Sequence, residues 1–225
     1  MREKIIYGIA ALAAILLARN LHSTFLVLPD EANQGMIYRI MFFHIPAAWT
    51  ALLACAVALV ASVMFLLTKN FRYDALAVAV TEVGLAFLAV NIVTGSIWGR
   101  IIWGIWWTLD ARLTSAFACW MLYFGYLMLR GAIDEPTRRA TLGAVFSIFA
   151  FADVPIVIFS IKWWRTQHPQ PVFWGGGSMD SDMWLTTMLN WLALMLVGTV
   201  FLLVRLRQEE TRREIDSLRR MVHAI

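Results

Sequence analysis

The sequence predicts an all-α polytopic membrane protein with six transmembrane helices and both termini in the cytoplasm. The chain has 225 residues, of which 60% are hydrophobic and only 15% charged, a composition too apolar for an ordinary soluble domain. Apolar stretches of about 20 residues, the length that spans a bilayer, recur along nearly the whole chain. The basic residues behind the net charge of +4 lie in short segments between these stretches, so topology explains them and no nucleic-acid partner is expected.

Six apolar stretches define the expected spans, which cover residues 5–28, 45–67, 75–97, 113–132, 142–162 and 184–204. The first stretch follows a basic start and lacks a cleavage site of the A-x-A kind, so we expect an uncleaved helix. Arg19, Asn20 and His22 interrupt it, which leaves open a span that ends at Ala18 and continues as an interfacial segment.

The distribution of basic residues predicts the orientation. With a cytoplasmic N-terminus, 13 of the 19 lysines and arginines lie in inside segments and six in outside segments, and the opposite orientation would invert this ratio. The positive-inside rule therefore favours cytoplasmic termini. Three segments then face outward, namely 29–44, 98–112 and 163–182.

The expected domain organisation is a membrane domain at 1–204 and a charged cytoplasmic helical tail at 205–225. The tail contains two pairs of opposite charge with i,i+4 spacing, Glu209 with Arg213 and Asp216 with Arg220. A solvated helix that extends the last span is the favoured interpretation, and a docking face for a cytoplasmic partner is the alternative.

The second outward segment is rich in tryptophan. It reads WGRIIWGIWWTLDARLT from residue 98, and on a helix Trp103, Trp106, Trp107 and Asp110 would share one face. Eight of the 11 tryptophans lie in the two later outward segments and at their edges, at positions 98, 103, 106, 107, 163, 164, 174 and 184. Interfacial tryptophan belts form on both sides of a membrane, so this asymmetry favours a planar, amphipathic ligand.

Two histidines are expected at the same outer face. His44 closes the first outward segment, and Pro46 suits the first turn of a helix, which places His44 near a helix N-terminus. His168 follows the fifth span, whereas His22 is less well placed and His223 lies in the tail. A single interfacial histidine is usually only a polar residue at a wet helix end. Two imidazoles from different segments, however, could hold a haem iron from opposite faces.

These motifs resemble the haem exporter protein C family, also called cytochrome c maturation protein C, within the haem-handling proteins that share a WWD-type loop. The similarity rests on RIMFFHIPAAW at 39–49, the tryptophan-rich segment, and PIVIFSIKWWRTQH at 155–168. The family pattern ends in W-W-x-W-D, and this chain has Leu109 in place of the last tryptophan.

The resemblance implies roles for individual residues. His44 and His168 would be the axial ligands of haem b, the metal site of the protein. The remaining haem-binding positions would be Trp98, Trp103, Trp106, Trp107 and Asp110. Arg112 suits a haem propionate because a guanidinium binds a carboxylate bidentately, and Arg39, Arg100 and Arg165 compete for that role with headgroup contact as the alternative for each.

The function implied is non-enzymatic. The chain would present haem at the periplasmic side of the bacterial inner membrane and transfer it to a periplasmic haem chaperone. It would work in membrane lipid beside a small single-span membrane subunit and the membrane and ATPase subunits of an ABC transporter. The chain has no P-loop, H-E-x-x-H or G-x-S-x-G motif, so ATP chemistry would come from a partner.

Two other functions are considered, and the first rests on polar residues within the apolar stretches. Glu82, Asn91 and Asp153 would line the path of a small-solute transporter, although Asp153 precedes Pro155 and favours a structural role at a kink. A membrane cytochrome b anchor is the other rival, and it needs histidines at membrane depth. Cys55 and Cys119 have no metal or redox spacing and are expected in the apolar core.

Overall fold

The computed structural model describes residues 2–170 and 179–223, and within them the fold is all-α, as predicted. Seven α-helices follow one another: α1 (Arg2–His22), α2 (Met41–Thr68), α3 (Phe71–Trp103), α4 (Ala111–Gly131), α5 (Pro136–Phe151), α6 (Asp153–Trp163) and α7 (Ser181–His223). A π-helical turn extends α1 to Val27, and a 3-10 turn at Met36–Ile40 leads into α2.

Five helical segments of the described chain are long and apolar enough to cross a membrane: α1, α2, α3, the α5 and α6 pair, and α7. The remaining predicted span, residues 113–132, corresponds to α4, whose 21 residues extend about 31 Å and match the hydrocarbon thickness. Arg112 and Arg130 at the ends of α4 lower its hydropathy. The chain is therefore a multi-pass membrane protein.

The first span does not end at Ala18. The helix continues through Asn20, which is fully buried, and its π-helical turn contains Thr24, which is buried as well. These polar residues lie where α1 packs on α7, and the hydroxyls of Ser23 and Thr186 approach to 3.5 Å. Packing against α7 keeps the polar side chains away from lipid, so the helix persists.

Close packing of α2 on α3 positions the outer end of the molecule. The buried side of α2 is lined with alanines, and a Cβ at Gly84 of α3 would lie only 2.7 Å from the Cβ of Ala54. Small residues let the two backbones approach, which is how membrane helices commonly associate. Cys55 and Cys119 are both buried in this core as free thiols, as predicted.

Two acidic residues lie within the spans, one in an ion pair and the other at a helix break. Glu82 forms an ion pair with Arg205 of α7. Asp153 begins α6 where the fifth span breaks at Ala152, so the predicted kink near Pro155 divides this span into two helices.

The start of α1 and the charged tail lie at one end of the bundle, where a buried ionic network joins α3, α4 and α7 and two exposed ion pairs join α1 to α7. Arg2 pairs with Glu210, and Arg207 with Glu3. Asp74 accepts from Arg130 at 2.6 Å and from Arg213 at 2.7 Å, and Arg213 also pairs with Glu209 at 2.8 Å. The tail is continuous with α7 and mostly exposed, and Glu209 and Arg213 fasten it to the bundle. Of the two predicted i,i+4 pairs, Glu209 with Arg213 is formed, whereas Asp216 lies 3.9 Å from Arg219.

Candidate functional site

The predicted site residues gather at the end of the bundle opposite the two termini. His44 lies four residues into α2, and Pro46 is inside the helix rather than in its first turn. The helix begins earlier than predicted because the 3-10 turn at Met36–Ile40 continues directly into it. His44 is therefore embedded in helical structure and not at a frayed helix end.

One face of α3 surrounds the His44 ring. Asn91, Thr94, Gly95 and Trp98 have i, i+3, i+4 and i+7 spacing, which puts them on one side of a helix. The Thr94 hydroxyl lies 3.0 Å from Nδ1, and the Asn91 amide nitrogen lies 3.2 Å from each ring nitrogen. Trp98 meets the ring edge to face with centroids 5.9 Å apart.

Gly95 is the reason the ring fits there. A Cβ at this position would lie 2.9 Å from Cε1 of His44, closer than real Cβ contacts. The absence of a side chain on α3 thus creates the space that the imidazole of α2 occupies.

His168 lies in the segment after α6 and is half-buried. Its Nδ1 is 2.9 Å from the carbonyl oxygen of Pro169, which can only accept, so Nδ1 carries the proton and the lone pair is on Nε2. Burial and the Arg112 cation lower the pKa of His168 to about 4. The imidazole is therefore neutral at physiological pH, the form that binds metals.

The charge of Arg112 acts on both histidines. His44 lies close enough to His168 and Arg112 for their charges to act on it, and Arg112 also acts on His168. The guanidinium donates to the backbone carbonyl of Val157 in α6. Residues from α2, α4 and the segment after α6 thus lie within electrostatic reach of one another.

Asp110 fastens the His168 segment to the start of α4. One carboxylate oxygen accepts from the backbone N–H of Arg112 at 2.9 Å, which caps α4, and the other accepts from the N–H of Gln167 at 3.0 Å. Burial raises the pKa of Asp110, but hydrogen bonds from Thr166, Gln167 and Arg112 outweigh it and lower this pKa below its usual value. The carboxylate acts as a cross-link between two outer segments.

The continuous helical face of aromatic rings is not formed. α3 ends at Trp103, because Gly104 adopts a left-handed conformation with φ 76° and residues 104–110 are not helical. Trp98 and Trp103 belong to α3, Trp107 packs on Phe117 of α4, and Trp106 is 59% exposed. Trp174 lies outside the described residues.

The competing arginines differ in their surroundings. Arg39 is buried and pairs with Asp30 at 2.9 Å, so it braces the segment before α2. Arg100 donates to the carbonyl of Gly104 at the end of α3. Arg165 is exposed. Of the four, Arg112 alone is placed by the described structure beside both histidines.

Sequence reasoning missed the supports of the two histidines. The sequence indicates Asn91 only as part of a transport path, and it gives no role to Thr94 or Gly95. Their helical spacing with Trp98 is visible in the sequence, but nothing in the sequence indicates that this face meets His44. Gln167 was missed because its contribution is a backbone N–H.

Comparison with known proteins identifies the family. The family model described as Heme exporter protein C matches residues 1–221. Heme exporter protein C of Bradyrhizobium diazoefficiens is 36% identical over 223 residues, which cover 98% of this chain and 84% of that protein. A putative cytochrome c biosynthesis ccmC-like mitochondrial protein of Marchantia polymorpha is 33% identical over 183 residues, covering 81% and 78%. Heme exporter protein C of Escherichia coli is 33% identical over 141 residues, covering 62% and 57%. The chain therefore belongs to the Heme exporter protein C family.

Proposed function

We propose that this protein handles haem in cytochrome c maturation, holding haem b between His44 and His168 and passing it to a periplasmic haem chaperone. The observation that carries the proposal is the placement of two imidazoles, from separate parts of the chain, at one end of the bundle, both within electrostatic reach of Arg112. The names of the relatives, which refer to haem export and cytochrome c biosynthesis, support the same function.

The chemistry of this end suits haem as cargo. Neutral imidazoles are good iron ligands, and the tautomer of His168 leaves its Nε2 lone pair available. A guanidinium has five donors, of which Arg112 directs one to Val157, so donors remain for a propionate carboxylate.

The outer surface beside the histidines suits delivery to another protein. Several large apolar side chains are exposed there, with Trp106 at 59%, Leu109 at 91%, Trp163 at 56% and Trp164 at 51%. Indoles can stack on the face of a planar ligand while its polar edge stays near water. An exposed aromatic surface would let haem leave toward a docked chaperone without passing through water.

The orientation follows from the positive-inside rule. The end with the termini and most arginines would face the cytoplasm of a bacterium, and the histidine end the periplasm, across the inner membrane. On the cytoplasmic side, the membrane and ATPase subunits of an ABC transporter would supply ATP chemistry, with a small single-span subunit alongside. In this proposal the chain is a carrier and not an enzyme.

Two of the three residues expected to line a transport path have partners within the bundle, and the third lies at a helix break. Glu82 is paired with Arg205, Asn91 is turned to His44, and Asp153 begins α6 at the break of the fifth span. A cytochrome b anchor is disfavoured because His168 lies in a segment outside the spanning helices.

The visible absorption spectrum of the purified protein tests the proposal, with wild type compared with His44→Ala, His168→Ala and His22→Ala. His22 is an exposed histidine at the end of α1 and serves as the matched control. We expect the first two variants to lose or shift the Soret band and His22→Ala to match wild type. If His44→Ala and His168→Ala keep the wild-type haem content and spectrum, the proposed ligands are wrong.

A further inference from the structure

The buried ionic network at the tail end of the bundle is balanced within itself. Its two carboxylates, those of Asp74 and Glu209, pair with two guanidiniums, those of Arg130 and Arg213. Two negative charges thus offset two positive charges. The network has no negative charge left for a further arginine.

Two further arginines lie beside this balanced network. Arg139, in the first turn of α5, is within electrostatic reach of both network arginines and of Arg212 in α7. Among the residues that the structure describes, neither Arg139 nor Arg212 belongs to an ion pair. Glu135, one turn before Arg139, accepts instead from the backbone N–H groups that it caps at the start of α5. The four arginines and two carboxylates therefore leave an excess of two positive charges, which favours an anionic ligand.

The position of the cluster indicates where that anion would come from. Arg130 is the last residue but one of α4, whose length matches the hydrocarbon thickness, so the cluster lies at a membrane surface. The Arg130 side chain lies against Gly143 of α5, where a Cβ would be 2.8 Å from Nη1 of Arg130. Arg139 is one turn before Gly143 on the same helix. Its guanidinium is therefore at the level of the phospholipid headgroups.

An exposed apolar stripe on α5 continues from Arg139 into the membrane. The α5 stripe consists of Leu142, Val145 and Phe149, which have i, i+3, i+7 spacing and are 39%, 53% and 64% exposed. Leu142 follows Arg139 by three residues, so the cation and the stripe adjoin. A cation at the surface followed by apolar side chains matches the phosphate and acyl chains of a phospholipid.

We propose that Arg139 and Arg212 bind the phosphate of an anionic phospholipid whose acyl chain lies along the α5 stripe. Basic pockets between membrane-spanning helices are typical binding sites for anionic lipid headgroups, and a guanidinium can bind a phosphate bidentately. The lipid supplies the negative charge that the cluster lacks. The site is at the end of the bundle opposite His44 and does not depend on haem.

Native mass spectrometry of the detergent-solubilised, full-length protein measures this binding. The probes are phosphatidylglycerol and, as the zwitterionic comparison, phosphatidylethanolamine with the same acyl chains. We expect phosphatidylglycerol to bind more tightly, and its affinity to fall about fivefold in Arg139→Gln or Arg212→Gln and about 25-fold in the double variant. Lys4→Gln is the control, because Lys4 is an exposed cation of α1 at the same end of the bundle, and its affinity should equal that of wild type.

The variants should stay folded, because each substitution removes a positive charge from a cluster with too many. Thermal unfolding midpoints no lower than that of wild type would show this. Equal affinity for the two lipids, or equal affinity of the double variant and Lys4→Gln for phosphatidylglycerol, would overturn the inference. A large excess of glycerol 3-phosphate should not displace bound phosphatidylglycerol. Displacement would mean that the site takes a soluble phosphate, and it would overturn the assignment to a lipid.

Discussion

A methyl group on Gly95 should loosen the haem site. In Gly95→Ala the new Cβ would lie 2.9 Å from Cε1 of His44, whereas ordinary contacts begin at 3.4 Å, so the ring must shift by about half an ångström. In haem-free protein the His44 ring can rotate away from the new methyl group, whereas a His44 ring bound to iron cannot move freely. The crowding cost, about 1–3 kcal/mol for an added methyl in a packed site, therefore falls on the bound state. Haem affinity should drop about 5- to 150-fold.

Haem titration followed at the Soret band measures this effect in detergent-solubilised protein. Gly125→Ala is the control, since a Cβ on Gly125 of α4 would meet only Phe146 at an ordinary 3.6 Å. The reasoning is refuted if Gly95→Ala binds haem as tightly as Gly125→Ala does, because the glycine would then have no role in seating His44.

Three further predictions concern the cross-link, the ionic network and the charge beside His168. Asp110→Asn keeps an oxygen to cap α4 but loses the acceptor for the N–H of Gln167, so haem retention should fall about fivefold for a hydrogen bond of about 1 kcal/mol. Asp74→Asn leaves a buried guanidinium without its counterion and should lower the free energy of unfolding by about 3 kcal/mol, measured by denaturant titration, without changing the haem spectrum. Arg112→Gln removes a cation that disfavours the imidazolium, so the pKa of His168 should rise from about 4, as followed by NMR titration of haem-free protein.

Each of these predictions has a matched comparison. Asn70→Ala removes the cap of α3 at the opposite end and should leave haem retention unchanged. Asp216→Asn breaks only a long 3.9 Å pair and should barely alter stability. Arg165→Gln removes an exposed arginine near His168 in sequence and should leave the pKa of His168 in place. A prediction is contradicted if its control variant changes the measured quantity as much as its test variant does.

The architecture could be predicted because long apolar stretches have few alternatives in a membrane. The break before Pro155 followed from the missing N–H of proline. The end of α3 was missed, since the aromatic spacing after Trp103 is compatible with a helix. Gly104, which takes the left-handed conformation, was the available signal.

The placement of His44 and His168 at the same end of the bundle could be predicted, but not what surrounds them. The face of α3 that meets His44 depends on how deeply α2 packs on α3, and small residues such as Ala54 and Gly84 set that depth. The Asp74 network was missed for a similar reason. Its partners, Arg130 and Arg213, come from distant parts of the chain and meet only after the bundle assembles.

The central claim is that both axial ligands of haem are imidazoles, from His44 and His168. Near-infrared magnetic circular dichroism of the oxidised, haem-loaded protein reports the identity of both axial ligands. The account predicts a bis-imidazole spectrum for wild type, and the loss of one imidazole in His44→Ala and in His168→Ala. A wild-type spectrum with only one imidazole, or a bis-imidazole spectrum in either variant, would contradict it.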